Sequence, residues 1–456
     1  MTIVGGQVSS MPSAAPEADS DFVSFDGRIH ARGQLQQPDR YRYWRTDLAE
    51  TPRISRGSGL SYAAASFLQD GLSVSHRSFD RVTDFDSACH VVEVETGISL
   101  FALHRFLSLR GLYLPIQPGH GRISVGGCIA ADVHGKNQSR DGTFINQVES
   151  IDLLHPSHGI LELSPQKNPD LFRLTCGGYG LTGHIIRARL RASPAPMAWV
   201  QMRGVPFADA AEGFERLRLA TRGTDFAYTW HDMASSRPGF GSGYLFQGRF
   251  VDEGASRASD AEPPVLSSES RGRWPVSLMN AISSRALNLE FRRRQKRTLG
   301  GQVVSLQDAL FPAHKTQLYF QLFGAAGFRE YQAILPDEAI EDYVESVRAY
   351  VRAQPLPITL SSAKAFAGRR ELLRFTGAGI CLALDVPAGA AADRFMAFLD
   401  ERVMALGGLP NIIKDSRLPR GVVDFCYDGA DRFRDALHAF DPKRLFRSDL
   451  SERLGL

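Results

Sequence analysis

Between Pro118 and Asn137 four of the five glycines fall in two clusters, Gly119 with Gly121 and Gly126 with Gly127, set among small and β-branched residues. A segment of this kind lets the backbone pass within contact distance of a bulky flat ligand, where side chains would stand in the way. A shorter loop precedes it, Arg56-Gly57-Ser58-Gly59-Leu60-Ser61-Tyr62, and a third follows, Gly177-Gly178-Tyr179-Gly180-Leu181-Thr182-Gly183. Three such loops predict a ligand gripped at several points along its length. ATP and NAD are disfavoured, because no loop ends in Gly-Lys-Ser/Thr and no three-glycine fingerprint opens a helix after a strand.

The chain has 456 residues, enough for two or three domains. A formal net charge of +3 gives no reason to expect nucleic acid as a partner. The five cysteines, Cys89, Cys128, Cys176, Cys381 and Cys426, show no paired spacing. That argues against a disulfide framework and a structural zinc site, and for a reducing, cytoplasmic compartment. His155 and His158 flank a Pro-Ser turn with no carboxylate or cysteine at ligand spacing, so no metal is expected. No apolar run approaches the roughly 20 residues that span a bilayer. Residues 1–21 lack the basic start and apolar core of a signal and read as a disordered leader.

From Arg53 to about Ser193 the pattern is that of an α+β nucleotide domain. Val91–Glu95 and Ser150–Leu154 read as strands, as does Ile185–Leu190. Ser99–Arg110 reads as a helix that buries Leu100, Leu103, Phe106 and Leu107 and stops at Gly111. Beyond Met197, helices over Ala208–Thr221 and Asp337–Ala353 alternate with strands over Gln317–Phe323 and Gly379–Val386. This predicts a second, mostly antiparallel domain with helices on one face. Residues 255–301 are rich in Ser, Pro and Arg and read as a partly mobile insertion. Within it, Arg285, Arg292, Arg293, Arg294, Lys296 and Arg297 lie among Trp274, Leu278, Met279, Ile282, Leu287, Leu289 and Phe291. The cluster reads either as a solvated helix face or as a lid meeting a lipid phosphate or a membrane surface.

The three loops together resemble the FAD-binding domain of the vanillyl-alcohol oxidase (PCMH-type) superfamily. The run Val125–Asn137, the segment Lys414-Asp415-Ser416-Arg417 and the closing Asp441–Asp449 narrow the resemblance to the decaprenylphosphoryl-ribose 2'-oxidase family. The resemblance implies an α+β fold with a PCMH-type FAD-binding domain over residues 22–195 and an antiparallel substrate domain over 196–410. The chain would then return to the FAD-binding domain over 411–456. It also implies FAD held without a covalent bond. The matching flavin positions are Arg56, Gly57, Ser58, Gly59, Leu60, Ser61 and Tyr62 in the first loop. Gly119, Ser124, Val125, Gly126, Gly127, Ala131, Asp132, Val133 and His134 match in the second, and Gly180, Gly183, Ile185, Asn411 and Lys414 beyond it.

Lys414 follows the apolar Ile412-Ile413 and is assigned to the N1–C2=O edge of the flavin, where a fixed cation stabilises developing negative charge. Asp415 and Arg417 are read as holding its loop. His134 is read as substrate-facing, against the alternative of a hydrogen-bonded histidine in the pocket wall. Lys136 is either a solvated surface charge or a point charge for a substrate phosphate. Gln332, Lys364 and Phe366 match substrate-pocket positions of the family. The chain departs from that family at Glu330, where a glutamine is usual, at Ala383, in place of a reactive cysteine, and at Asn411, in place of a tyrosine. The first helix of the flavin domain is expected to be reduced or absent.

The resemblance implies oxidation of a secondary sugar hydroxyl, the sugar being a pentose linked to polyprenyl phosphate. The product would be a keto sugar for a separate reductase, made by an enzyme peripheral to the inner face of the membrane. A free-sugar aldonolactone or alditol oxidase is the alternative, and a flavin-binding scaffold without chemistry a third.

Overall fold

The structure, a computed structural model, describes residues 17–39, 51–195, 199–234, 239–251, 274–297, 299–312 and 317–456. A four-stranded sheet opens the chain in the order β1-β2-β4-β3, with β1 (Glu17–Val23), β2 (His30–Gln36), β3 (Arg53–Arg56) and β4 (Leu72–Ser75). Residues 17–21, expected in the leader, are thus part of β1, which pairs along its length with β2; residues 1–16 lie outside the described residues. The first glycine loop leaves the end of β3. The chain's end runs beside the same strand, with Arg53 N donating to Leu445 O at 2.8 Å and Arg447 N to Arg53 O at 3.0 Å.

The second sheet contains β5 (Val82–Asp86), β6 (Val91–Glu95), β8 (Val148–His155), β9 (Gly159–Leu163) and β10 (His184–Arg191), in the order β5-β6-β10-β8-β9. A short pair, β7 (Leu112–Tyr113) and β11 (Ser193–Pro194), closes its rim. The helix Leu100–Ser108 forms where the sequence predicts it. Ser99 caps it by accepting from Ala102 N, and Leu100, Leu103 and Leu107 are buried along one stripe.

Eight antiparallel strands make the large sheet of the second half, in the order β15-β12-β14-β13-β17-β18-β16-β19. These are β12 (Trp199–Phe207), β13 (Phe226–His231), β14 (Gly243–Val251), β15 (Gln302–Ser305), β16 (Phe328–Leu335), β17 (Leu360–Phe366), β18 (Gly379–Pro387) and β19 (Leu409–Pro410). Helices Ala210–Ala220, Ile340–Ala353 and Ala390–Ala405 cover one face. Phe214, Val347, Phe395 and Leu399 pack there with Tyr331, Ala333, Leu382 and Leu384. Alternation along a strand sends the intervening residues to the other face, which fronts the FAD-binding half.

Two local expectations fail. Gln317–Phe323, read as a strand, begins as the helix Gln317–Gln321. The large sheet already ends at β15 and β19, and a helical turn lets Phe320 and Phe323 reach Phe25 and Phe328. The insertion, read without a regular element, holds the helix Ala281–Arg297; residues 252–273 lie outside the described residues. Its inner side is anchored by Asn288 Nδ2 and Arg292 Nε, which donate to the Asp232 carboxylate at 2.8 and 3.1 Å.

Candidate active site

The glycine loops and the free face of the large sheet enclose one cavity of about 390 Å³. Most of the residues singled out in the sequence line it: Gly57, Ser58, Gly59, Leu60, Ser61, Tyr62, Gly119, Ser124, Gly126, Gly127, Ala131, Asp132, Val133, His134, Gly180, Gly183, Ile185, Gln332, Lys364, Asn411 and Lys414. Arg56, Val125, Lys136 and Phe366 stand behind the wall. Arg56 braces the first loop from outside, donating to Ser66 Oγ at 3.0 Å. A Cβ at Gly59, where φ is +68°, would lie 2.6 Å from that guanidinium, so the loop requires glycine. Val125 is part of the core, and Phe366 packs edge-on against His134 at 4.8 Å.

Lys136 is the clearest correction. Its ammonium donates to the Ala309 and Leu310 carbonyls at the end of the helix Leu306–Leu310, which needs acceptable donors there. Burial, and then Lys364, lowers it to about 7. It therefore holds a helix end rather than meeting substrate.

The first loop fits a pyrophosphate. Among the described residues, the backbone N–H groups of Ser58, Gly59, Leu60 and Ser61 have no protein acceptor. Consecutive unpaired donors of this kind favour an anion. Ser58 Oγ donates to Arg122 O at 2.6 Å, and a Cβ on Gly57 would come within 2.1 Å of Ser124 Oγ. The first two loops are thus in direct contact, and glycine at 57 is what permits it. Asp132, at φ +42°, accepts from Arg374 Nε at 2.7 Å, Thr143 Oγ at 2.7 Å and Ile145 N at 2.9 Å. This buried ion pair joins the second loop to the segment between β17 and β18.

The face of the large sheet that lines the cavity is a ladder of side chains from three neighbouring strands. In the register of β16, β18 and β17, Glu330 faces Asp385, which faces Leu360; Gln332 faces Ala383, which faces Ser362; and Cys381 faces Lys364. Lys414 enters above this face on the segment after β19. Its Nζ donates to Glu330 Oε2 at 3.2 Å and lies 4.1 Å from the centre of the Tyr62 ring. Asn411 Nδ2 donates to Gln332 Oε1 at 2.5 Å. Arg417 holds the segment through Asp400 at 2.7 Å and Asp415 at 2.8 Å, and Ser416 donates to Asp26.

Burial, reinforced by Lys364 and Lys414, keeps the His134 imidazole neutral, well below its ordinary value. Burial drives Asp385 well above the carboxylate range, and Glu330 adds to the rise. Sequence reasoning missed Asp385 and Tyr319. The first was legible, since Asp385 follows Ala383 by one alternation. The second was hidden by the strand reading of Gln317–Phe323.

FAD is expected to leave with acid precipitation, the polypeptide pellet remaining colourless. No histidine lies in the first loop, and Cys128 is buried in the core with its thiol pushed up by that burial. Flavin colour in the pellet would show a covalent link.

The FAD binding domain family model matches residues 47–164, which carry the first two loops. Over 415 residues the chain is 29% identical to the decaprenylphosphoryl-beta-D-ribose oxidase of Mycolicibacterium smegmatis, covering 88% of this chain and 89% of that protein. It is 27% identical over 379 residues to a Streptomyces coelicolor protein described as uncharacterized, in the mprA 5' region, covering 78% of this chain and all of that one. The similarity to L-galactono-1,4-lactone dehydrogenase 2, mitochondrial, of Oryza sativa subsp. japonica is 34% over 168 residues, 36% of this chain and 28% of that protein. Residues 47–164 match an FAD binding domain, and the chain is an FAD-dependent oxidoreductase.

Proposed function

We propose that the chain oxidises a secondary hydroxyl of a sugar to a ketone and that the sugar is a pentose carried on polyprenyl phosphate. The keto sugar would go to a separate reductase, completing an epimerisation in cell-envelope glycan synthesis. The observation that carries this reading is the extent of the similarity to the decaprenylphosphoryl-beta-D-ribose oxidase. It covers 88% of the chain, and so takes in the substrate-side ladder as well as the flavin loops. Bound FAD supplies the two-electron acceptor. Lys364 supports an anionic substrate. Burial lowers its pKa, and its ammonium has no acceptor or ion-pair partner among the described residues. A phosphate would compensate a buried cation of this kind. Gln332, with its carbonyl fixed by Asn411, keeps its amide N–H groups for sugar oxygens. Lys414 would face the flavin edge, and His134 would meet the substrate as a neutral ring.

The helix Ala281–Arg297 suits a peripheral seat on the inner face of an anionic membrane. Ile282, Leu289, Arg293 and Lys296 share its exposed side. No helix among the described residues is long and apolar enough to cross a membrane. Arg292, which the sequence groups with the lid arginines, points inward to Asp232 and is no part of that surface. The aldonolactone reading rests on a similarity confined to 36% of the chain.

Anaerobic mixing of the yellow protein with farnesylphosphoryl-ribose, free ribose and an aldono-1,4-lactone tests the assignment. Rapid flavin bleaching by the lipid-linked sugar alone is expected. Bleaching by the lactone and not by the lipid-linked sugar would replace the reading with the second one. Neutralising Arg285, Arg293 and Lys296 together should weaken binding to anionic vesicles by about 1 kcal/mol per residue. Unaltered vesicle binding would remove the membrane contact.

A further inference from the structure

The ladder that fronts the cavity places two carboxylates against each other. Glu330 on β16 and Asp385 on β18 are register partners in an antiparallel pair, so their side chains leave the same face. Both are buried and both line the cavity. Like charges directly opposed across two strands are unfavourable, and two carboxylates sharing a site cannot both ionise freely. Their surroundings are unequal. Glu330 has the Lys414 ammonium at 3.2 Å. Asp385 has the Tyr319 hydroxyl donating to Oδ2 at 3.0 Å, and Tyr319 in turn lies 2.8 Å from Thr359 Oγ1. The other titratable groups facing the pair are Tyr62 on the first loop, Lys364 on β17 and Cys381 on β18.

We propose that Glu330 and Asp385 hold one proton between them, carried on Asp385, and that ionised Glu330 takes the proton of the substrate hydroxyl. The inference rests on the alcohol-oxidising reading and not on which sugar is used. As the ketone forms, the substrate O–H bond breaks and its proton forms an O–H bond on Glu330. The electron pair of the carbinol C–H bond leaves as hydride to FAD, the oxidant that the oxidoreductase requires. Asp385 keeps its own proton throughout, and Glu330 releases the one it has gained to water in the cavity once the ketone has left, which restores the pair to a single proton.

The other groups in the wall are poor acceptors. Lys414 and Lys364 have no lone pair to offer when charged. His134 is kept neutral by burial and by the two lysines, so it resists taking a proton. Asp132 is closed off by Arg374. The departure from the family's glutamine at 330 thus adds a base, and Asp385 stabilises it by carrying the pair's proton.

Infrared titration of the FAD-loaded protein tests the shared proton without any substrate. The wild type should show a protonated carboxyl C=O band at pH 7, absent from Asp385→Asn at the same pH. No such band in the wild type, or the same band in Asp385→Asn, would overturn the proposal. With whichever sugar bleaches the flavin, Glu330→Gln should slow reduction by about a hundredfold at pH 7. Glu330→Gln should also alter the pH dependence of that rate while retaining FAD. A Glu330→Gln protein with the wild-type rate and pH profile would equally overturn it. Failure of every sugar to bleach the flavin sinks the sugar reading instead, and the infrared result still decides the shared proton.

Discussion

Lys414→Ala is expected to keep FAD bound and to slow flavin reduction by about a hundredfold or more, the scale on which a single preorganised charge-stabilising group acts. The structure gives two reasons to expect the effect at the chemical step. The ammonium enters the cavity from a segment whose position is set by Arg417, Asp400 and Asp415, so its place is preorganised. It is also the cation beside Glu330, and its loss leaves that carboxylate facing Asp385 without compensation. FAD should stay because the glycine loops that fit the pyrophosphate lie elsewhere in the chain. Single-turnover reduction at an unchanged rate would exclude Lys414 from the reacting edge of the flavin. Loss of FAD would make it a binding residue instead.

Arg374→Ala should destabilise the fold by about 3–5 kcal/mol, the cost of leaving a buried charge without its partner. Asp132 has a fully buried side chain, and Arg374 is its cationic partner at 2.7 Å. The remaining donors, Thr143 Oγ and Ile145 N, hydrogen-bond the carboxylate but do not neutralise it. Since Asp132 lines the cavity in a left-handed conformation, the variant should also lose FAD more readily. Denaturant unfolding and flavin content of the purified protein measure the two effects. An unfolding free energy within about 1 kcal/mol of wild type would mean that Asp132 is satisfied without the arginine.

The flavin half was legible because its chemistry is written in backbone permission. The glycine spacing reads as a cradle before any fold is known, and in the fold a Cβ at Gly57 or Gly59 would strike the neighbouring loop or the bracing arginine. Helix Leu100–Ser108 was legible for a similar local reason, through its cap and its apolar stripe. The helix starting at Gln317 was not. Its aromatic residues suit a strand locally, and the helical turn is what lets the aromatic cluster around Phe25 take its rings.

What the sequence by itself determined is the ligand class and the order of the parts: glycine loops first, the antiparallel half next, and a lysine segment that crosses back. Only the tertiary structure decided which charges meet. Lys136 and Lys364 are both lysines near apolar neighbours, yet one spans to the carbonyls of a helix end and the other opens into the cavity. Glu330 and Asp385 lie far apart in the chain and oppose each other through strand register alone. Hydrogen-bond register and burial act between segments distant in sequence, and they fix the charge state of a side chain that composition and spacing leave open.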